Sequence, residues 1–426
     1  MDRTSLKILN SELTFIGDIE DYISFYFVRS FFQAKEFQLI SPLKYASILK
    51  EDNYIYLSKQ KSMIIEDIEI DELKGQITVK GRDVKSIIET RITEPPVNEA
   101  YDSFNGSAEE VIKHYVNINC INPVDISRKI KGLVLGTNLK RGANTKWQSR
   151  YKNLLVEVEG IAKSGGIGWF IYLDHKNKQI IFDVEEGINR TVSQNLNSRV
   201  IFSSEFDNIA NTIHKISSLN YKNVGYVGGQ GEGIERDIEI VSRNNNTGIK
   251  RREIFIDARD ISESENLKDR GMAKLSQCEY ILNTESTIRN KNLIYERDWN
   301  LGDVATVKNT FGINDLRITE VREIYEEYVT IEITTGTVEA NVIKQINNDI
   351  SSIQVESGSS ARDRSYLFTQ VAPKQLWKVS HGLGKYPSVS IVDSGGTVVI
   401  GNINYCDNNN VEISFTAPFA GNAYFN

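Results

Sequence analysis

Residues 199 to 260 constrain the fold most. From RVIFSSEFDNIANTIHKISSLNYKNVGYVGGQGEGIERDIEIV to RREIFIDARDI, short apolar runs alternate with polar edges, turn on Gly228, Gly229, Gly231 and Gly233, and return through two more apolar runs. Side chains alternating with period two line opposite faces of a strand, so the stretch predicts a β-meander. A glycine cluster can also cradle phosphate, but only where backbone N–H groups stand at a helix N-terminus. Here Ile234 to Val241 alternates as a strand and no Gly-Lys-Ser/Thr follows, which makes the cluster a hairpin tip.

The same texture fills residues 1–100. Leu6, Ile8, Leu13, Phe15, Ile19, Tyr22, Ile23, Phe25, Phe27 and Val28 fall in short β-branched and aromatic runs, and NYIYLS, KSMIIEDIEI and QITVKG add three strands. This predicts a first β-barrel-like domain. The acids Glu66, Asp67, Glu69 and Asp71 alternate with Ile68 and Ile70 as a strand's wet face, and they lack the glycine turn and closing Glu of a calcium loop. Gly81-Arg82-Asp83 then leads into a helix. Residues 101–198 read as an α+β insertion. Ser107 with Glu110 forms a capping box for one helix, a second begins near Tyr151 and stops at Ser164-Gly165-Gly166, and GWFIYL and QIIFDV make a hairpin. Residues 199–336 form a second β-barrel-like region. Ser262 and Glu265 cap a helix near 262–278, and LRITEVREI with YVTIEITT closes the region as a hairpin.

After Gly336 the pattern changes. Ile343, Ile346, Ile350 and Ile353 are spaced 3, 4 and 3 apart, a heptad seam with isoleucine at both core positions, which favours three or four strands over two. Residues 337–356 therefore read as a short trimeric helical neck, with a helix packed on its own domain as the alternative. Residues 357–364 have linker composition. Residues 365–426 alternate as a compact β-sandwich module. Within it Trp377 and His381, beside the Gly382-Leu383-Gly384 turn, and the aromatics Tyr386 and Tyr405 are candidates for a surface ligand site; the competing account is a buried Trp and a turn-capping His. The whole is an α+β, strand-dominated chain.

Charge and motif content narrow the function classes. A formal net charge of -7 argues against specific nucleic-acid binding, and the Lys250-Arg251-Arg252 triplet reads as a solvated strand end. Three scattered cysteines, Cys120, Cys278 and Cys406, make neither a disulfide framework nor a zinc site. The first residues, MDRTSLKILN, do not read as a signal peptide, and no apolar run has membrane-spanning length. None of the four histidines stands in a metal-ligand spacing, and no Gly-x-Ser-x-Gly or His-Glu-x-x-His appears. The expectation is no enzyme, no cofactor and no metal. A carboxylate pair for glycoside hydrolysis stays open, because its separation in space is invisible in sequence.

VIFSSEFDNI, YKNVGYVGGQGEGIERDIEIV, RREIFIDARDI, WNLGDVATV and LRITEVREIYE, with VKGRDVKSIIETRI before them, resemble the tail hub family of long-tailed phages and prophages, including the Reqi-Pepy-type hubs, over about residues 1–340. Separately, YLFTQVAPKQLWKVSHGLGKYPSVSIVDSGGTVVIGNINYCDNNNVEISFTAPFAGNAYFN is similar to a small β-domain that ends phage tail-fibre and baseplate proteins. The resemblance implies a homotrimeric structural hub in a virion or phage-like particle. It would adapt a sixfold tail tube to a threefold tip and close the channel until a host cell is engaged. Implied partners are the distal tail or tube protein ring, the C-terminus of the tape-measure protein, and a tail fibre or host cell-wall glycan. Many hubs continue into a cell-wall hydrolase or long fibre, whereas this sequence is expected to end its chain on one short β-module. The alternatives are a host-surface glycan or receptor binder through that module, or a hydrolase of the tail tip.

Overall fold

A computed structural model describes residues 4–259, 264–289, 293–310, 312–336, 365–395 and 397–426. The chain divides into two compact units, Met1–Glu339 and Ala340–Asn426. The first is built on one 13-stranded sheet. Its strands run in the order Ile209–Ser217, Ile281–Ile288, Val329–Gly336, Gly312–Tyr325, Ser24–Ser30, Glu36–Pro42, Gln76–Asp83, Lys61–Asp71, Tyr54–Ser58, Leu6–Leu9 and Phe15–Ile19, with Val304–Asn309 and Ile201–Ser203 branching from Gly312–Tyr325.

The two regions predicted as separate barrel-like domains thus share a sheet. They meet where Gly312–Tyr325 lies antiparallel to Ser24–Ser30, pairing Glu320 with Ser30 and Tyr325 with Phe25. Among the described residues no closed barrel forms, since the strand order stays open at Phe15–Ile19 and Ile209–Ser217. The sheet still curls. Register shifts at Ile65/Asp67, Ile318/Glu320 and Ala210/Ile213 bend it, as bulges do. As a result Leu6 and Ile8, several strands removed from Phe25 and Phe27, fall in the same core as them, with Phe37, Leu39, Val79 and Tyr325.

The insertion packs as expected from its caps. Helix α1, Ala108–Val116, starts at a complete capping box: Glu110 N donates to Ser107 Oγ at 3.3 Å and Ser107 N donates to Glu110 Oε2 at 3.0 Å. Helix α2, Leu154–Gly165, is capped by Asn153 and ends on Gly166, whose φ of +68° suits glycine. The hairpin of Gly168–Asp174 and Gln179–Glu185 forms as read, joined by a third, parallel strand, Leu133–Leu135. After Asp83 the chain makes a 3-10 helix, Val84–Thr90.

The region around the glycine cluster differs from a meander. Val224–Gly228 and Ile238–Ser242 do form an antiparallel hairpin whose tip holds Gly231 and Gly233 at positive φ. Glu253–Asp257, however, runs parallel to Val224–Gly228 on its other side, so the first strand is central. The cause is the length of the connection, which lets the chain cross the sheet end and return in the same direction. Helix α3, Ser264–Gln277, covers one face through Leu267 and Leu275, which join Val227, Val241 and Ile256. At Gly271 a Cβ would stand 2.5 Å from Val241, so only glycine permits this approach. Ser262 lies outside the described residues, as does the Glu265 side chain.

In the second unit the β-sandwich module takes the form of one four-stranded antiparallel sheet. Asn410–Phe425 is central, with Tyr366–Ser380 on one side and Val389–Asp393 and Asn402–Tyr405 on the other. Register shifts near Lys374 bend the two long strands. This lets Trp377, Val379, Ile391, Val411, Ile413, Phe415, Ala423 and Phe425 close on one another as a core.

Candidate functional site

The joint between the two strand-rich regions holds a concentration of buried charge. Arg29, on Ser24–Ser30, donates from Nη1 to Tyr295 Oη at 2.9 Å and lies 3.5 Å from Glu296. Lys61, on Lys61–Asp71, reaches Glu323 Oε2 at 2.9 Å and Glu296 at 3.0 Å, and Tyr325 Oη donates to the same Glu323 oxygen at 2.8 Å. Lys85 donates to the Ser30 and Gln33 carbonyls at 2.6 and 3.3 Å, with its ammonium 4.6 Å from the Trp169 ring and 4.8 Å from that of Phe170. Residues from both strand regions and from the insertion are therefore fastened through one set of contacts.

Between Arg29, Lys61, Asp83, Lys85 and Phe170 lies a cavity of about 20 Å³. That volume admits one water and no substrate. Asp83 Oδ1 is buried there with no hydrogen-bond partner among the described residues. Burial pushes its carboxyl up to about 7 and pushes the Lys85 ammonium down to about 8, each relieved in part by the opposite charge of the other. The sequence did carry a signal for this joint: Arg29 interrupts the apolar run Phe25 to Phe32, and a charge in such a strand must find partners.

A second network pins the insertion. Lys113 donates to Glu109 at 2.6 Å, to Asp183 at 2.9 Å and to the Gly136 and Thr137 carbonyls at 3.0 and 2.9 Å, while Arg141 holds Glu109 and Asp183 at 2.9 and 2.8 Å. Burial opposes the charge on Glu109, yet the hydrogen bonds from Arg141 and Lys113 hold its carboxyl down to about 2. His114 Nε2 faces Asp102 at 2.9 and 3.0 Å with its ring stacked on Phe104 at 4.2 Å, and Tyr115 Oη donates to the Asp102 carbonyl.

For hydrolysis of a glycoside two carboxylates must face one cleft. The cavity at the joint contains Asp83 alone, and the open groove beside Tyr226, Ile238 and Phe255 contains Glu253 alone, bonded to Arg251. Among the described residues no group of three or more His, Cys, Asp or Glu is placed to hold a metal ion. No helix among them is long and apolar enough to cross a membrane.

The C-terminal candidates separate into two pairs. Trp377 is fully buried against Phe368, Phe415 and Phe419, with Nε1 donating to the Lys374 carbonyl at 3.1 Å. His381 is buried too: its Nδ1 accepts from Leu383 N at 3.2 Å, and its ring stacks on Phe425. Burial lowers its affinity for a proton. Tyr386 and Tyr405 are brought together on the surface, ring centroids 5.6 Å apart and edge to face, with Tyr405 Oη donating to the Pro387 carbonyl at 2.6 Å. Ile343, Ile346, Ile350 and Ile353 lie outside the described residues.

The family model described as siphovirus ReqiPepy6 Gp37-like protein matches residues 5–337. The chain belongs to the siphovirus ReqiPepy6 Gp37-like family. No curated protein matches it by sequence. Among solved structures, it is similar to prophage tail protein gp18 from Listeria monocytogenes EGD-e, at 11% identity and a TM-score of 0.50 over 83% of this chain and 100% of that one. It is also similar to the 43 kDa tail protein of prophage MuSo2 from Shewanella oneidensis, at 12% identity and a TM-score of 0.50 over 78% and 98%. This member of the ReqiPepy6 Gp37-like family therefore has the fold of phage tail proteins.

Proposed function

We propose that three copies of this chain form the hub at the distal end of a phage or phage-like tail, where they adapt a sixfold tube to a threefold tip and close its channel until a host is engaged. The observation that carries this reading is the single sheet that unites residues of both strand-rich regions in a chain of siphovirus family. One sheet tied across its middle by Arg29, Lys61 and Glu323 transmits load between its halves without a hinge. Its open ends at Phe15–Ile19 and Ile209–Ser217 offer neighbouring copies an edge on each side.

In this reading residues 337–356 are the neck, with Ile343, Ile346, Ile350 and Ile353 facing the axis, and 357–364 link it to the terminal module. The distal tail ring above and the tape-measure C-terminus within the channel are the partners, and the work is done by shape, not catalysis. Mass photometry of the purified chain tests the stoichiometry: a species of three times the 48.3 kDa chain is expected.

One observation favours an added role for the terminal module. Tyr386 and Tyr405 form a fixed aromatic ridge, with Tyr386 68% exposed, and aromatic faces of this kind stack on sugar rings. Binding of the full chain to a bacterial cell-wall glycan array, lost with Tyr386→Ala and Tyr405→Ala together, is the expected result.

A further inference from the structure

Asp83 stands at the N-cap of the 3-10 helix Val84–Thr90, a position where a carboxylate ordinarily accepts a hydrogen bond from a backbone N–H of the first turn. Its side chain makes no such bond. Asp83 instead lines the cavity that it shares with Arg29, Lys61 and Lys85, and its Oδ1 is buried with no partner among the described residues. Buried polar groups are nearly always hydrogen-bonded, to protein or to ordered water.

The three cations around the cavity are not equivalent. Lys61 reaches Glu323 and Glu296, and Arg29 reaches Tyr295 and Glu296. Lys85 forms no ion pair with a carboxylate among the described residues. Two of its three N–H groups go to the Ser30 and Gln33 carbonyls at 2.6 and 3.3 Å, which leaves one. Asp83 and Lys85 therefore bring one unspent acceptor and one unspent donor to the same space of about 20 Å³, and each feels the other's charge. That space is the size of one water.

We propose that one ordered water occupies this cavity and completes a water-mediated ion pair, accepting from Lys85 Nζ and donating to Asp83 Oδ1. Both charges favour that orientation of the water, and a bridging water joins two polar groups nearly as well as direct contact does. Charge excludes other occupants of similar size. A halide would meet the Asp83 carboxylate, and a sodium ion would meet Arg29, Lys61 and Lys85. Ser62, on the cavity wall, donates its hydroxyl to the Ser58 carbonyl and keeps lone pairs for the water's second hydrogen. Because Lys85 also holds the Ser30 and Gln33 carbonyls and lies against the Trp169 and Phe170 rings, the water fastens the end of Gln76–Asp83 to Ser24–Ser30 and to the insertion.

Crystallography of the full chain, at a resolution that shows ordered water, tests the bridge. The expected map has one water peak at hydrogen-bond distance from both Asp83 Oδ1 and Lys85 Nζ, with no anomalous signal there after a bromide soak. Asp83→Asn, whose amide oxygen still accepts, keeps the peak, and Asp83→Leu loses it. An anomalous bromide peak, a direct contact between Asp83 and Lys85, an empty cavity, or a peak that persists in Asp83→Leu would overturn the bridge. If Asp83→Leu does not fold, the map of the unaltered chain decides among these results by itself.

Discussion

The sheet unit and the C-terminal module solve the same packing problem with different chemistry. The first buries Arg29, Lys85, Glu109, Lys113 and Glu323 among its apolar side chains. In the module, among the described residues, His381 is the one buried polar side chain, and an apolar cluster around Trp377 does the rest. A small core can hold a single sheet by burial alone. A sheet of 13 strands assembled from segments some 290 residues apart must also fix which strand meets which. Charge contacts do that by penalising the wrong arrangement, because a misplaced strand leaves a buried charge without its partner.

The largest expected effect lies in the module. Trp377→Ala should cost about 3–5 kcal/mol through lost burial and the cavity left behind, enough to unfold a domain this small. Hydrogen exchange should show residues 365–426 opening while Ser24–Ser30 keeps its protection; equal loss in both would break the distinction drawn above. Next comes Lys113→Ala, which strands Glu109 at full burial with Arg141 as its remaining cation. Urea unfolding should show a loss of about 2–3 kcal/mol. Adding Glu109→Gln should recover part of it, as no isolated charge then remains; a wholly additive double variant would contradict the network.

The pH dependence is a smaller effect with a definite sign. Asp83 titrates higher in the folded state than in the unfolded chain, so the folded form holds an extra proton between about pH 4 and 7 and stability falls as pH rises through that window. Asp83→Asn should flatten this slope by on the order of 1 kcal/mol or more. Glu109 acts oppositely, its contribution present above about pH 4.5 and lost as pH falls toward 2. An unaltered slope in Asp83→Asn would remove the burial argument for the joint. Smallest is the helix cap: Ser107→Ala should cost about 1 kcal/mol, visible as a modest drop in Tm.

How much of this was legible in the sequence follows from distance along the chain. The Ser107 cap, the Gly166 stop and the Gly168–Asp174 hairpin are encoded within a few residues, and each appears where its local pattern puts it. Glu253–Asp257 alternates as well as any strand, but nothing local says it will run parallel to Val224–Gly228. Nor does the sequence announce that Glu320 will sit opposite Ser30, joining two regions that read as separate barrels. At the candidate sites, Trp377 and His381 offered two readings, and burial places both side chains inside the module. Tyr386 and Tyr405, nineteen positions apart, meet only because the loop that carries Tyr386 folds against the end of the strand Asn402–Tyr405.

The account stands on a threefold assembly. Its most direct test is cryo-electron microscopy of the tail tip from particles containing this chain, with the copies counted about the tube axis. Three copies forming a closed ring beneath a sixfold tube is the predicted result. A single copy, or six, or a location away from the channel would contradict it.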